Sequence, residues 1–267
     1  MEDRKNGSPE EPLILISNDD GIDSEGIAAL AGAMGDFGEV YVVAPMDEQS
    51  AVGHAITVRD PVRARAWDFA EEAGAAAAWA VSGTPADCVK LAVNQLLPRR
   101  PALVASGVNR GPNTAVNVLY SGTVSAATEG AILGIDAAAF SLCEWDGGHY
   151  ATAARVARRV ARRVLEKGLP EGVLLNVNVP SAPMAELAGT RVTRQARALW
   201  KESFTARVDP FDEPYYWMAG EFVDLDEGTG TDLGAVEEGY VSVTPIQHDL
   251  TAYDHLAGLR EWTWGEE

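Results

Sequence analysis

The chain has 267 residues, of which 46% are hydrophobic, and it carries a formal net charge of −19. This length suits one large α/β domain with an appendage or two modest domains, and no run of about 18 apolar residues indicates a membrane span. Residues 202–267 hold sixteen Asp and Glu against two Arg, and such an acidic region disfavours binding to the backbone of a nucleic-acid polymer.

The polar segment 1–11 contains Gly and Pro and lacks the apolar stretch of a signal peptide, which predicts a disordered tail on a cytoplasmic protein with no membrane partner. Short apolar runs then alternate with helical patterns as far as about residue 180. The predicted strands are LILIS (13–17), VYVVAP (40–45), WAVSG (79–83), ALVASG (102–107), AAAFSL (137–142) and VLLNVNVP (173–180).

Four helices are predicted between these strands. They begin near Ser24 and at Thr84-Pro85, where an N-cap residue precedes proline, and they cover residues 123–134 and the basic stretch 150–167. Strands separated by helices require crossover connections, so the pattern predicts an α/β fold with a doubly wound, mostly parallel sheet.

The pattern changes beyond about residue 185, where Trp, Tyr, Pro, Asp and Gly become frequent. YVSVTPI (240–246) alternates like a strand in a hairpin or an extension, and residues 251–264 fit a short helix. We therefore predict an α/β domain over residues 12–185 and a smaller β-rich region over residues 186–267. The aromatic residues of this region fit an interface or core better than a base-stacking platform.

Two adjacent acids follow the first strand, in SNDDG (17–21). Carboxylates beside a buried strand are costly if unpaired, and a divalent cation such as Mg²⁺ or Mn²⁺ would compensate both Asp19 and Asp20. The alternative is that the two acids cap the next helix or form an Asx turn. The Asp-Asp-Gly pattern alone does not decide between these interpretations.

Two later strands also end in polar residues, and ligands of parallel sheets bind beyond such ends. After the second strand, Ser50 offers a neutral oxygen to a metal, and His54 offers a phosphate contact or proton transfer. After the strand at 102–107, Asn109 offers an amide oxygen to a metal and Arg110 a cationic fork to phosphate. An ordinary loop serine, a surface histidine and simple turn chemistry are the respective alternatives.

A phosphate cradle is predicted where LYSGTVSAATEG (119–130) leads into a helix. Helix N-terminal amides together with hydroxyl groups bind phosphate, and glycines let the backbone approach a ligand closely. The predicted phosphate and substrate contacts are Asn18, Gly107, Arg110, Ser121, Gly122 and Thr123.

Several motifs of other enzyme classes are missing from the sequence. No GxGxxG follows the first strand, and neither GxxxxGK[ST], GxSxG nor HExxH occurs. Their absence disfavours a dinucleotide oxidoreductase, a P-loop kinase and a serine hydrolase.

Taken together, the segments resemble the successive signature blocks of the SurE family over about residues 12–255. The matching segments are ILISNDDGIDSEGIAAL, VVAPMDEQSAVGHAIT, VSGTPADCVKLAV, VASGVNRGPN, VLYSGTVSAATEGAILG, LLNVNVP, DEPYYWMAG and TDLGAVEEGYVSVTPIQHDLTAY. The resemblance implies a Rossmann-like catalytic domain and a C-terminal region of extended or swapped elements that builds homodimers or homotetramers.

The resemblance also implies hydrolysis of nucleoside 5′- and 3′-monophosphates, sometimes of short polyphosphate, with one divalent cation per subunit. The family's metal ligands are two adjacent Asp, a Ser and an Asn, which correspond here to Asp19, Asp20, Ser50 and Asn109. Two stretches depart from the family pattern, TAVNVLYSGT before the cradle and MDEQSAVGH in the loop over 46–54. Both lie near the expected substrate mouth and bear on substrate preference more than on metal binding.

The expected mechanism is in-line attack on phosphorus by water, with Asp19 or Asp20 accepting its proton. A covalent aspartyl-phosphate is the variant. Two other protein classes stay open: a non-catalytic nucleotide- or phosphate-binding oligomer on the same fold, and a scaffold whose acidic C-terminal region docks on a basic partner.

Overall fold

The computed structural model describes residues 11–68, 74–226, 230–262 and 264–265, so the predicted tail lies outside the described residues except for Glu11. No helix within these ranges is long and apolar enough to cross a membrane. The strands are β1 Leu13–Ser17, β2 Glu39–Pro45, β3 Ala64–Ala66, β4 Ala77–Val81, β5 Leu103–Arg110, β6 Ala137–Cys143, β7 Val173–Pro180, β8 Gly189–Val192, β9 Ala198–Val208, β10 Pro214–Asp224 and β11 Tyr240–Gln247. The α-helices are α1 Glu25–Met34, α2 Pro85–Leu91, α3 Gly122–Ile132, α4 Tyr150–Lys167, α5 Asp232–Glu237 and α6 Leu256–Arg260.

Nine strands form one sheet in the order β3-β4-β2-β1-β5-β6-β7-β11-β8. The six central strands from β4 to β7 are all parallel. At the edges, β3 runs antiparallel to β4 and β11 runs antiparallel to β7. The predicted fold class, a mostly parallel α/β sheet with a smaller antiparallel element after it, is confirmed.

Helices cover both faces of this sheet. Helices α1 and α4 pack together on one face, and α2 and α3 pack together on the other. Strand β1 is buried on both sides, which explains its uninterrupted apolar sequence. Because strand side chains alternate, Ile14 and Ile16 enter the core under α1 and α4, whereas Leu15 enters the core under α2 and α3.

The predicted helix starts are capped as their sequences suggest. The Ser24 hydroxyl accepts from the Ile27 amide, and Thr84 and Asp87 form a reciprocal capping box at α2. Helix α2 is followed by a π-helical turn over Ala92–Leu96, so the continuous helix predicted there is shorter than expected.

Strand β5 extends three residues beyond its predicted end at residue 107. Its register with β6 shifts between Ser106 and Asn109, and pairing then resumes at Asn109 with Ser141. The bulge allows the strand to continue, and it carries Asn109 and Arg110 to the edge of the sheet.

The C-terminal region contributes to two different sheets. Strand β11, predicted as a hairpin strand or an extension, extends the main sheet, as does β8. Strands β9 and β10 form a separate hairpin of eleven residue pairs that the sequence did not indicate, and nearly all of its residues are exposed. The boundary between residues 185 and 186 stays a prediction.

Candidate active site at the carboxyl edge of the sheet

The central strands follow the order β4-β2-β1-β5-β6-β7, so the direction of winding reverses between β1 and β5. Ligands of doubly wound sheets bind beyond the carboxyl ends of the strands at this reversal. The residues that follow β1 are Asn18, Asp19 and Asp20, and β5 ends with Asn109 and Arg110. The topology therefore brings the two strongest polar segments of the sequence to one crevice.

Asp19 is buried against the N-terminus of α3. Its Oδ1 accepts a hydrogen bond from the Thr123 hydroxyl, and a Cβ at Gly122 would lie 2.6 Å from the Asp19 Cβ. Burial raises the pKa of Asp19, although hydrogen bonds from Thr123 and Gly122 oppose the shift. Glycine at position 122 is what allows this carboxylate to reach the helix end.

Asp20 is half-buried and lies beside the end of β5. Its Oδ2 accepts from the backbone amide of Arg110 at 3.1 Å. Burial, followed by the charge of Asp19, raises the pKa of Asp20 to about 6, and the positive charge of Arg110 only partly opposes this. Two adjacent carboxylates that are both costly to ionise favour a cation beside them.

Asn109 lies next to Asp19, because the Thr123 hydroxyl that binds Asp19 is also 3.3 Å from the Asn109 Oδ1. The amide nitrogen of Asn109 donates to the carbonyl oxygens of Gly111 at 2.8 Å and Arg110 at 3.2 Å. These bonds fix the side chain so that its oxygen, the atom suited to a metal, faces Asp19.

Ser50 lies on the exposed loop after β2. The backbone amide of the preceding Gln49 donates to the Asp19 carbonyl at 2.7 Å, which holds this loop against the end of β1. The Ser50 hydroxyl donates to Glu48 Oε1 at 2.7 Å. Because the hydroxyl uses its proton in this bond, the lone pairs of the Ser50 oxygen stay free to bind a metal.

The donor set suits a hard, oxygen-preferring cation. Asp19, Asp20, Asn109 and Ser50 offer two carboxylates and two neutral oxygens, and Mg²⁺ sites commonly combine one or two carboxylates with water and substrate oxygens. No group of three or more His, Cys, Asp or Glu that could hold a metal occurs in the described ranges.

The residues predicted to contact phosphate lie at several positions around the crevice. Arg110 is exposed at the crevice, with its guanidinium 3.8 Å from the Glu48 carboxylate. The Ser121 hydroxyl caps α3 by accepting from Val124, and Gly107 lies within the β5 bulge. The Asn18 amide donates to the Gly21 carbonyl and the Ser24 hydroxyl, so it shapes the turn between β1 and α1.

His54 contacts Glu129 on α3 and not Asp19 or Asp20. Its Nε2 lies 3.0 Å from Oε2 of the buried Glu129, whose Oε1 accepts from Lys90 at 2.6 Å. Burial would raise the pKa of Glu129, but the hydrogen bonds and charges of His54 and Lys90 outweigh it, and the net pKa is lowered. The geometry assigns His54 to anchoring its loop on α3.

Sequence reasoning missed a buried polar network behind Asn109. The backbone amide of Asn113 donates to Asn178 Oδ1 at 2.8 Å, and the Asn176 side chain donates to the backbone carbonyl of Asn113 at 2.8 Å. Asp232 accepts from the Ala115 amide in the same loop. The signal was available, because two Asn alternate within the otherwise apolar β7 sequence VLLNVNVP.

A cleft of about 510 Å³ opens beside Asp20. Its wall is formed by the turn after β1, the start of α1, and the segment that leads into α4. The lining residues are Asp20, Gly21, Asp23, Ser24, Glu25, Met46, Arg110, Gly147 and Tyr150. Tyr150 was not predicted, although its place after β6 puts it at the same edge of the sheet.

Comparison with known proteins shows similarity over nearly the whole chain. The profile of the family described as Survival protein SurE matches residues 14–202. The proteins named 5′-nucleotidase SurE from Heliobacterium modesticaldum and Symbiobacterium thermophilum are 46% and 48% identical to this chain, over 94% of this chain in each case and 92% and 98% of their own lengths. The crystal structure of the SurE protein from Aquifex aeolicus has a TM-score of 0.81 and 41% identity, and the match covers 93% of this chain and 98% of that one.

Proposed function

This chain belongs to the SurE family, and we propose that it is a divalent-metal-dependent 5′-nucleotidase that hydrolyses nucleoside 5′-monophosphates to nucleosides and phosphate. The observation that carries the proposal is the oxygen cluster at the winding reversal, where Thr123 joins Asp19 to Asn109 and the Arg110 amide holds Asp20. The names of the relatives support the substrate class. The proposal extends to hydrolysis of nucleoside 3′-monophosphates and of short-chain polyphosphate.

The proposed cation, Mg²⁺ or Mn²⁺, would be held by Asp19, Asp20, Asn109 and Ser50, and it would neutralise phosphoryl oxygens and make water a better nucleophile. The side chains around it have separate tasks. Thr123 orients Asp19 and Asn109, and the Arg110 guanidinium binds the phosphate. Each acid accepts one hydrogen bond, Asp19 from Thr123 and Asp20 from the Arg110 amide, but Asp20 lines the cleft, so we assign to Asp20 the acceptance of the proton from the attacking water.

The reaction is tested by assaying the purified full-length chain on 5′-AMP, 3′-AMP and short-chain polyphosphate with Mg²⁺, with Mn²⁺ and with EDTA. We expect release of phosphate from 5′-AMP with at least one metal, and a loss of at least about a hundredfold in EDTA because the phosphoryl charge is no longer neutralised. Binding of 5′-AMP without turnover would favour the non-catalytic alternative. Activity that EDTA leaves unchanged would contradict metal dependence.

The proposal includes a homodimer or homotetramer built through the C-terminal region. The β9–β10 hairpin exposes large apolar side chains, among them Phe204 and Trp217, each 66% exposed, and Met218, 70% exposed. A two-stranded hairpin of this kind gains stability when its apolar surface is covered. Light scattering of the full chain should give at least a dimeric mass, and a monomer at assay concentration would contradict this part.

A further inference from the structure

The proposed metal ligand Ser50 lies in a loop without helix or strand, over residues 46–63 between β2 and β3. The next residue, Ala51, has a φ of 60°. An alanine keeps this left-handed conformation only where its surroundings enforce it. The orientation of Ser50 therefore depends on the contacts that fasten the loop on either side of it.

Two backbone hydrogen bonds fasten the loop before and after Ser50. The Gln49 amide donates to the Asp19 carbonyl at 2.7 Å, and the Gly53 amide donates to the Tyr120 carbonyl at 3.0 Å. The first bond ties the loop to the end of β1, and the second ties it to the turn before α3. Ser50 lies within the short segment between these bonds, so a shift of the second bond would move its side chain.

The side chain of His54 strengthens the second of these anchors. Its Nε2 lies 3.0 Å from Oε2 of Glu129, whose side chain is 2% exposed, and Lys90 on α2 donates to the other carboxylate oxygen at 2.6 Å. Although burial would raise the pKa of Glu129, the hydrogen bonds of His54 and Lys90 lower it. Glu129 is therefore an ionised carboxylate that only accepts hydrogen bonds, so Nε2 of His54 carries the proton and donates.

Helix α3 connects this anchor with the rest of the proposed donor set. Glu129 lies less than two turns after Thr123 on the helix. The Thr123 hydroxyl binds Asp19 and approaches Asn109. The same helix therefore holds Asp19 and Asn109 through its first turn and the loop of Ser50 through Glu129.

We propose that Glu129 is a positioning residue of the metal site, which acts through His54 to hold Ser50 at the end of β1. Lys90 balances the charge of Glu129, so that the carboxylate stays ionised without binding the cation itself. The affinity of the site for its cation is then set in part by a buried residue that does not touch the cation. This inference rests on the proposed function, and it identifies what keeps the loop ligand in place.

The test measures the dissociation constant of Mn²⁺ by isothermal titration calorimetry on the full chain without substrate, together with kcat on 5′-AMP. His54→Ala should weaken Mn²⁺ binding by about tenfold, as loss of a group that orients metal ligands commonly does. The change in kcat at saturating Mn²⁺ should be smaller. His54→Gln keeps a side-chain N–H that can donate to Glu129, so it should weaken binding by about threefold or less.

A double-mutant cycle separates positioning of Ser50 from general support of the fold. Ser50→Ala by itself should weaken Mn²⁺ binding by about tenfold. Because Glu129 and His54 are proposed to act through Ser50, adding His54→Ala to Ser50→Ala should cost less than about a further threefold. Two independent losses that multiply to about a hundredfold would overturn the inference.

Glu129→Gln is the second variant and should weaken Mn²⁺ binding as His54→Ala does, since it leaves a single oxygen for two donors. Should it fold poorly, the His54 variants decide. Glu39→Gln is the matched control, because Glu39 pairs with Arg99 at 2.7 Å at the start of β2, at the opposite edge of the sheet from the site, and should leave Mn²⁺ binding unchanged.

The outcomes separate this inference from the proposed function. Native Mn²⁺ affinity in His54→Ala would overturn the inference and leave the phosphatase intact. Absence of Mn²⁺ binding and of phosphate release in the unaltered chain would overturn the proposed function and the inference with it.

Discussion

Asp20→Asn is expected to lower kcat on a nucleoside 5′-monophosphate by about a hundredfold or more. The substitution removes one of the two carboxylates proposed to hold the cation and the group proposed to accept the proton from water, and each of these roles is worth at least that factor. Asparagine keeps an oxygen that can accept from the Arg110 amide, which in the native chain donates to Asp20 at 3.1 Å. The measurement is phosphate release at saturating Mn²⁺.

The same substitution should stabilise the metal-free protein near neutral pH. Burial and the charge of Asp19 raise the pKa of Asp20 from 3.8 to about 6, so the folded state binds a proton more tightly than the unfolded state. Ionisation of Asp20 therefore costs stability as pH rises from about 4 to 6, and asparagine avoids that cost. With an allowance for solvent screening, we expect a gain of about 1–2 kcal/mol, or about 3–6 °C in Tm.

Thermal melts in EDTA at pH 4 and pH 7 test this sign, because the gain should shrink towards pH 4, where Asp20 is protonated. Asp36→Asn is the control: Asp36 pairs with Arg158 near the opposite edge of the sheet, and its loss should change activity little and stability by at most about 0.5 kcal/mol. Full activity of Asp20→Asn, or an unchanged Tm at pH 7, would contradict the site as described.

Gly26→Ala is expected to destabilise the fold by about 3 kcal/mol or more. A Cβ at this position would lie 1.9 Å from the Val108 carbonyl oxygen and 2.9 Å from its carbon. Both are backbone atoms of β5, so the clash cannot be relieved by a side-chain rotation, and α1 must move away from the sheet. Val108 precedes Asn109, so the movement would also disturb the proposed metal site.

Gly32→Ala in the same helix provides the matched control. No atom lies within 4 Å of a Cβ at Gly32, and replacing a helix-interior glycine by alanine stabilises a helix by about 0.5–1 kcal/mol. Urea unfolding of both variants should therefore shift in opposite directions. The same midpoint for Gly26→Ala and the native chain would show that α1 does not approach β5 as closely as the structure indicates.

The central sheet could be predicted because its information is local. The apolar runs of β1, β2, β6 and β7 are too short for helices, and their strands are buried from both sides by crossover helices. The strands that were predicted too short or not at all depend on pairing partners that are distant in sequence. Strand β5 continues past residue 107 because β6 offers a second register beyond the bulge, and the β9–β10 hairpin is held by cross-strand pairing with little burial.

The residues of the candidate site could be predicted from sequence, but their contacts could not. Asp19, Asp20 and Asn109 could be chosen from sequence because polar residues at the ends of predicted parallel strands converge on one edge. The contacts that these residues make could not be predicted from sequence. The sequence does not indicate that Thr123 joins Asp19 to Asn109, that His54 is bound to Glu129, or that Tyr150 faces Asp20.

The sequence by itself therefore determined the class of fold and the edge of the sheet where the candidate site lies, since strand period, helix caps and strand-end residues are encoded within a few positions. Only the tertiary structure decided how the two acids differ. The close approach of α3 through Gly122 turns Asp19 towards Thr123, while the packing of α1 and α4 leaves Asp20 facing the open cleft. Those differences depend on distances of a few ångströms between backbone segments that are about a hundred residues apart in sequence. A local sequence pattern does not determine such distances.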